Sequence, residues 1–290
     1  MRKDVFGLIY AGEENLQMRE LTAQRSLAAL PIGGRYREVD FVLSNMVNSG
    51  IRNVGVVPFK NYQSLMDHLG SGKAWNLNRK SDGLFILPPY DNAEDSGVYR
   101  GTLDALRGAG PYLRRVPQQY CLLTGSFTVY HMTYNDMLDY HLKSGADITI
   151  LYNTEDSAVQ SGKLFQDLRL GLDENGRVTD LVFRPQNPGL SNVGMDTYLI
   201  KKDLLQYLID ASVSRQRHKF IQDVLVNNPY HLNIRGYRYD GYVGRLHSVA
   251  SYMKLNMDFL KEEVQQKLFY TGSPVYTKIK DGAPTKYGPA

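Results

Sequence analysis

The stretch Ala11–Pro31, AGEENLQMRELTAQRSLAALP, directly follows the apolar run Val5–Tyr10 (VFGLIY). A strand feeding a loop and then a helix is where α/β proteins cradle phosphates. Glycine lets backbone N–H groups approach the oxygens there, and the helix N-terminus adds positive potential. Here Gly12 is the one glycine of the stretch, and Glu13 and Glu14 put negative charge where a triphosphate would sit. The architecture is that of a nucleotide site, while the chemistry is not.

Other chemistry-bearing residues have plainer readings beside the functional ones. Gly33–Gly34 could touch phosphate or make a tight turn. Asp40 could serve a site or cap the helix that follows it. Asp104 could ligate a metal, but an acid in a first helical turn already complements the helix dipole. The six histidines, His131, His141 and His218 among them, show no zinc-site spacing and are expected at the surface or at helix ends. Ser126 has no evident His/Asp partner that would make it a nucleophile.

Positioning such a site requires alternating elements, and the sequence supplies them. Apolar runs at Val5–Tyr10, Asn53–Phe59, Gln119–Gly125 and Asp147–Tyr152 read as strands. Between them Val39–Ser49, Tyr62–Leu69, Thr102–Leu113 and Tyr134–Ser144 have helical apolar spacing. Strand–helix alternation implies right-handed crossovers and a mostly parallel sheet covered on both faces. Further on, Leu168–Gly171 and Val178–Phe183 flank the turn DENG and read as a hairpin. Met195–Ile200 and Leu232–Tyr239 read as strands; Lys202–Ile209, Phe220–Val226 and Ser248–Glu263 read as helices. Residues 271–290, rich in proline and glycine, read as a linker.

The chain has 290 residues, 42% of them hydrophobic and 22% charged, which suffices for one large α/β domain. A net charge of +4 without dense Lys/Arg clustering argues against a nucleic-acid groove, and Arg215–Lys219 (RQRHK) reads as a solvated loop. The single cysteine, Cys121, lies in an apolar run and excludes an intrachain disulfide, which fits a reducing cytoplasm. There is no signal-peptide pattern and no apolar stretch of about 20 residues, so neither export nor membrane spanning is indicated.

The block Gly33–Ile51 (GGRYREVDFVLSNMVNSGI), with Tyr99–Ala105 (YRGTLDA), resembles the ADP-glucose pyrophosphorylases, the glucose-1-phosphate adenylyltransferases. Echoes at Gly145–Ile150, Asp173–Val178, Phe183–Pro185 and Gly241–Tyr242 extend the resemblance over the first 280 residues or so. It implies a three-layer α/β/α, Rossmann-like nucleotidyltransferase domain over residues 1–270 with a mixed, mostly parallel sheet. Residues 271–290 would lead toward a left-handed β-helix. The implied reaction is attack of a sugar phosphate on the α-phosphorus of ATP with loss of pyrophosphate. Such a reaction needs Mg²⁺ held by carboxylates and cations on the phosphates.

The chain departs from that pattern where the chemistry is done. In the loop, family glycines fall at Glu13 and Asn15, the phosphate-contacting arginine at Gln17 and the lysine at Leu27. One metal-binding aspartate falls at Ser126, and the other at Arg245 in GYVGRLHS (Gly241–Ser248); the adenine-contacting glutamine falls near Tyr90. Retained, as a degenerate substrate site, are Gly12, Arg37, Asp40, Tyr99, Gly101 and Asp223. Arg184 replaces a sugar-phosphate-binding lysine, while another lysine is lost at Gln222. The resemblance therefore points to the regulatory, catalytically impaired branch of the family. That implies no catalytic residue, metal or cofactor in this chain, and a catalytic, Mg²⁺-using subunit as its partner in a heterotetramer. It leaves open a sugar phosphate or anionic effector as ligand. Two alternatives are a weakly active enzyme holding metal through Glu13, Asp95 or Asp104, and a metabolite sensor built on the Arg184 side.

Overall fold

The computed structural model describes residues 4–11, 18–89, 99–155, 168–185, 189–228 and 230–279. The first part of the chain comprises strand β1 (Val5–Ala11), the short strands β2 (Pro31–Ile32) and β3 (Tyr36–Arg37), and helix α1 (Glu38–Asn48). Next come β4 (Asn53–Pro58), α2 (Gln63–Leu69), β5 (Gly83–Ile86), α3 (Thr102–Gly108), α4 (Gly110–Arg115), β6 (Tyr120–Gly125) and β7 (Thr128–Val129). The middle holds α5 (Asn135–Ser144), β8 (Ile148–Thr154), β9 (Leu168–Leu172), β10 (Val178–Phe183), β11 (Asn192–Lys201) and α6 (Lys202–Val213). A π-helical turn (Phe220–Val226), β12 (Ile234–Arg238), β13 (Gly244–Arg245), α7 (Val249–Asp258) and α8 (Glu262–Phe269) complete it.

β1 lies inside a nine-stranded sheet, parallel to β4 on one side and to β6 on the other. β5 continues beyond β4 in parallel, and β12 lies parallel to β8. β11 is the pivot: it runs antiparallel to β6 and to β8, and its first residues also pair with β9 of the β9–β10 hairpin. Only β10 and β11 point against the rest, so the sheet is mixed and mostly parallel, as expected. Phe6, Leu8 and Tyr10 of β1 pack toward α3, α4 and α6, while Val5 and Ile9 pack toward α1, α2 and α5. Burial on both faces explains why the strand reads as an unbroken apolar run. A third cluster, with Phe41, Phe259 and Phe269 at its heart, seats α7 and α8 against α1 and the β2–β3 hairpin. Among the described residues no helix is long and apolar enough to cross a membrane.

Several local expectations shift. The helix expected over 102–113 is two helices meeting at Ala109–Gly110, with Pro111 in the first turn of the second. The helix expected over 248–263 likewise divides at Phe259–Lys261. Gly33–Gly34 is a turn, both residues having positive φ, within the β2–β3 hairpin. Up to Ile279 the stretch read as a linker lies along α1 and α2: Asn48 Nδ2 donates to the Pro274 carbonyl and the Tyr276 N–H to Ser44 Oγ. His68, His131 and His141 are buried; His68 and His141 stand in the last turns of α2 and α5, helix ends as expected, whereas His131 lies between β7 and α5, and His141 bonds Thr149 through Nδ1 at 2.8 Å. Cys121 is buried, as read.

Asp40 shows how the signature block folds. α1 begins at Glu38, two residues before Asp40, so Asp40 is not the N-cap. Its carboxylate instead accepts the Arg37 backbone N–H at 2.8 Å and meets His68 Nε2 at 2.6 Å, tying the start of α1 to α2. Asp40→Ala should cost about 3 kcal/mol in urea unfolding, combining a lost cap with a buried bond left open. Glu38 is the opposite case. Fully buried with neither carboxyl oxygen bonded, it is pushed well above the ordinary range, first by burial and then by the Asp40 and Asp196 charges. Above its ordinary value near 4.5 the unfolded chain ionises and the folded chain does not, so this penalty grows with pH. Glu38→Met is expected to stabilise by about 2 kcal/mol near neutral pH and by less toward the acid side, read by urea unfolding at each pH.

Candidate functional site

In open α/β sheets ligands lie outside the carboxyl ends of parallel strands. Here the ends of β1, β4 and β6 deliver Tyr10, Phe59 and the pair Phe127–Thr128 to one cleft. Its other wall comes from the second half of the chain: Arg184 after β10, Asp196 in β11, Lys219 to Gln222 at the π-turn, and Arg245 and His247 from β13 onward.

β11 makes the floor. Its register shifts between Gly194 and Tyr198, and Asp196 has φ +53°, a left-handed conformation that Asp tolerates better than most residues. The carboxylate turned out by this bulge accepts from the hydroxyls of Tyr10 and Tyr198. It comes so close to the end of β6 that a Cβ on Gly125 would stand 1.9 Å from Asp196 Oδ2. Burial, and then the neighbouring Asp196, hold the Tyr198 phenol protonated.

Arg245 defines the other side. β13 pairs antiparallel with β7, setting Arg245 opposite Thr128. Its side chain is 11% exposed, and the guanidinium is clamped by the Glu155 carboxylate and by Asn153 Oδ1 at the far end of β8. Burial pushes its pKa down to about 10, so it remains a cation at neutral pH. Arg184 is also left-handed at φ +55°, its guanidinium lies over the Phe183 ring at 5.0 Å, and its buried Nε has no hydrogen-bond partner among the described residues.

Of the positions singled out from sequence, the structure brings Arg184, Gln222 and Arg245 into this cleft. Ser126 lies beside it, 1% exposed, its hydroxyl without a bonded partner among the described residues. Leu27 is core, packed with Met18, Leu30 and Phe41. Arg37 bonds the Ala29 carbonyl and Asp40 caps α1, so both serve the scaffold. Tyr99 packs edge-on against Phe59. Gly101 lies against the His218 backbone, where a Cβ would be 2.3 Å from the carbonyl oxygen. Asp223 accepts the Lys219 N–H at 2.9 Å and so caps the π-turn. Gly12, Glu13, Asn15, Gln17, Tyr90 and Asp95 lie outside the described residues.

Sequence reasoning missed Lys219, Asp196 and Glu155. RQRHK is solvated at Arg215, but Lys219 turns onto the cleft rim. Glu155 was invisible because its partner is 90 residues away.

The described donors do not fit a divalent ion. Hard cations need several oxygen ligands, usually carboxylates. Among the described lining residues Asp196 is the sole carboxylate, set against Arg184, Lys219 and Arg245. Asp104, weighed as a substitute ligand, is taken up by the Arg100 backbone N–H and side chain. Among the described residues no group of three or more His, Cys, Asp or Glu could hold a metal.

The nucleotidyl transferase family matches residues 6–236. The chain is 35% identical to the glycogen biosynthesis protein GlgD of Bacillus subtilis, over 93% of this chain and 68% of that protein. It is 34% identical to the glucose-1-phosphate adenylyltransferase of Thermomicrobium roseum, over 98% of this chain and 66% of that one. The chain thus spans about two thirds of the length of these curated relatives. A Bacillus anthracis structure described as a glucose-1-phosphate thymidylyltransferase superposes with TM-score 0.69 at 14% identity, covering 87% of this chain and 94% of that one, which shows the shared fold. With a parallel-stranded core that delivers a cleft at its carboxyl ends, and with relatives of both kinds at this identity, the chain belongs to the nucleotidyl transferase family and, within it, to the GlgD-like ADP-glucose pyrophosphorylases.

Proposed function

We propose that this chain is a regulatory subunit of a glucose-1-phosphate adenylyltransferase in cytoplasmic glycogen biosynthesis, and that it does not itself transfer adenylyl groups. The observation that carries the reading is the Arg245–Glu155–Asn153 clamp. Adenylyl transfer needs a divalent ion between the nucleotide phosphates and acidic anchors. This cleft offers a guanidinium at one anchor position and a buried, neutral Ser126 at the other. Losing one electrostatic stabiliser typically costs about 10²–10³ in rate, and losing several is not repaired by positioning alone.

The described core is fully packed on both faces of the sheet, with the signature helix α1 seated in it. A subunit of this kind can act through its interfaces while a catalytic homologue, which would bind the Mg²⁺, does the chemistry, in a heterotetramer. It raises the partner's activity only to the extent that it binds the partner's active state more tightly than the inactive one. The GlgD-named relatives and the adenylyltransferases at similar identity support this pairing of two related chains.

Purified chain given glucose 1-phosphate, ATP and Mg²⁺ is expected to release no pyrophosphate in a coupled assay. Turnover above about 10⁻³ of a catalytic homologue's rate would favour the weakly active enzyme instead. Co-expressed with a catalytic homologue, the chain should co-purify with it and change its rate or effector response. Separate elution with an unchanged rate would reject the regulatory reading.

A further inference from the structure

A second concave space lies at the opposite end of the parallel strands and shares no lining residue with the cleft. Arg52, which precedes β4, lines this one, whereas Phe59, which follows β4, lines the cleft. The six extended residues between them set the two spaces about 20 Å apart.

Three elements meet in this bowl. α1 ends there at Asn48 and hands on to Arg52; the loop between α2 and β5 contributes Trp75, Leu77 and Arg79; α5 begins there at Asn135. Among the described lining residues there is no carboxylate. The negative end of α1 is already satisfied, since the Asn45, Met46 and Val47 carbonyls accept the N–H groups of Ser49, Gly50 and Ile51. The positive end of α5 is not: its N-cap, Tyr134, makes no side-chain bond to the first turn of this ten-residue helix. Exposed Asp136 in that turn offsets part of the helix potential, and the two guanidiniums outweigh it.

Arg79 donates its Nε–H to the Asn76 carbonyl at 3.0 Å, and its terminal nitrogens make no bond among the described residues. Trp75 is 1% exposed and held edge-on against His68, with ring centroids 5.6 Å apart. Its indole N–H is buried without an acceptor among the described residues. Such a donor is unfavourable as it stands and gains when an incoming oxygen accepts from it.

We propose that this bowl binds a small oxyanion, carboxylate or phosphate, held by Arg52 and Arg79 at the first turn of α5 with Trp75 at its base. Guanidiniums present planar forks of N–H donors that match the oxygens of either group. The site stands apart from the cleft and does not depend on the regulatory reading.

Trp75 is the single tryptophan of the chain, so its emission reads this bowl. The test is a titration of the purified chain with citrate and with inorganic phosphate at constant ionic strength, with chloride as the reference anion. A saturable shift in emission with citrate, phosphate or both, and none with chloride, is expected; which of the two saturates distinguishes the carboxylate from the phosphate. Arg52→Gln and Arg79→Gln should each weaken the binding by about tenfold, the loss of one charge-assisted bond. Both arginines are exposed, so these variants keep the fold. Arg184→Gln, in the cleft, should leave the emission response unchanged. Failure of both anions to saturate, a chloride response of equal size, unchanged affinity in both arginine variants, or loss of the response in Arg184→Gln would each overturn the proposal.

Discussion

One ion pair organises the chemistry of this domain: the Arg245 guanidinium held by the Glu155 carboxylate inside a cleft whose fold elsewhere serves phosphoryl chemistry. Two charges withdrawn from water are not a strong source of stability, since desolvation offsets most of their attraction. Breaking such a pair from one side is costly, however, because the remaining charge is left without compensation. The pair therefore persists once formed, and while it persists the position where an acid would be needed carries a cation. A divalent ion would have to approach a guanidinium at close range in a medium of reduced dielectric, which is strongly repulsive.

The sheet is what makes that pair possible. β13 is pinned to β7, just beyond the end of β6, and β8 ends at Thr154, so Arg245 and Glu155 are brought together from opposite sides of β11. The same seam creates the floor. β6 stops at Gly125 while β11 continues toward β9, and the bulge in β11 turns Asp196 outward into the space left by a residue without a side chain. A local break in strand pairing thus sets the cleft's acidic side, and a short antiparallel ladder sets its basic side. Both arrangements come from strand pairing alone, so the fold itself sets the shape and charge of the cleft.

Much of the scaffold was legible in the sequence because its signals are local. Two-sided burial writes itself as continuous apolar runs at Val5–Tyr10 and Gln119–Gly125, and the helices between them carry a 3.6-residue period. The short β5, GLFI, is an apolar run of four residues, too brief to stand out as a strand before two prolines, and the breaks after α3 and α7 lie within otherwise periodic stretches. The cleft was legible only in part. Arg184 and Arg245 stood out through the resemblance, but Lys219 lay hidden in a polar cluster, and Asp196 depends on a bulge that no residue pattern announces. Asp40 and Gly101 sit in signature segments for reasons of capping and close packing, so retained residues there say more about folding than about ligands.

The central proposal is electrostatic: that this cleft does not seat a metal–nucleotide complex. Crystals soaked with Mn²⁺ and ATP, measured at a wavelength where manganese scatters anomalously, test it most directly. The account predicts no manganese peak within coordinating distance of Ser126 or the 245 position. A manganese ion bridging ATP phosphates there, with the guanidinium swung aside, would contradict it.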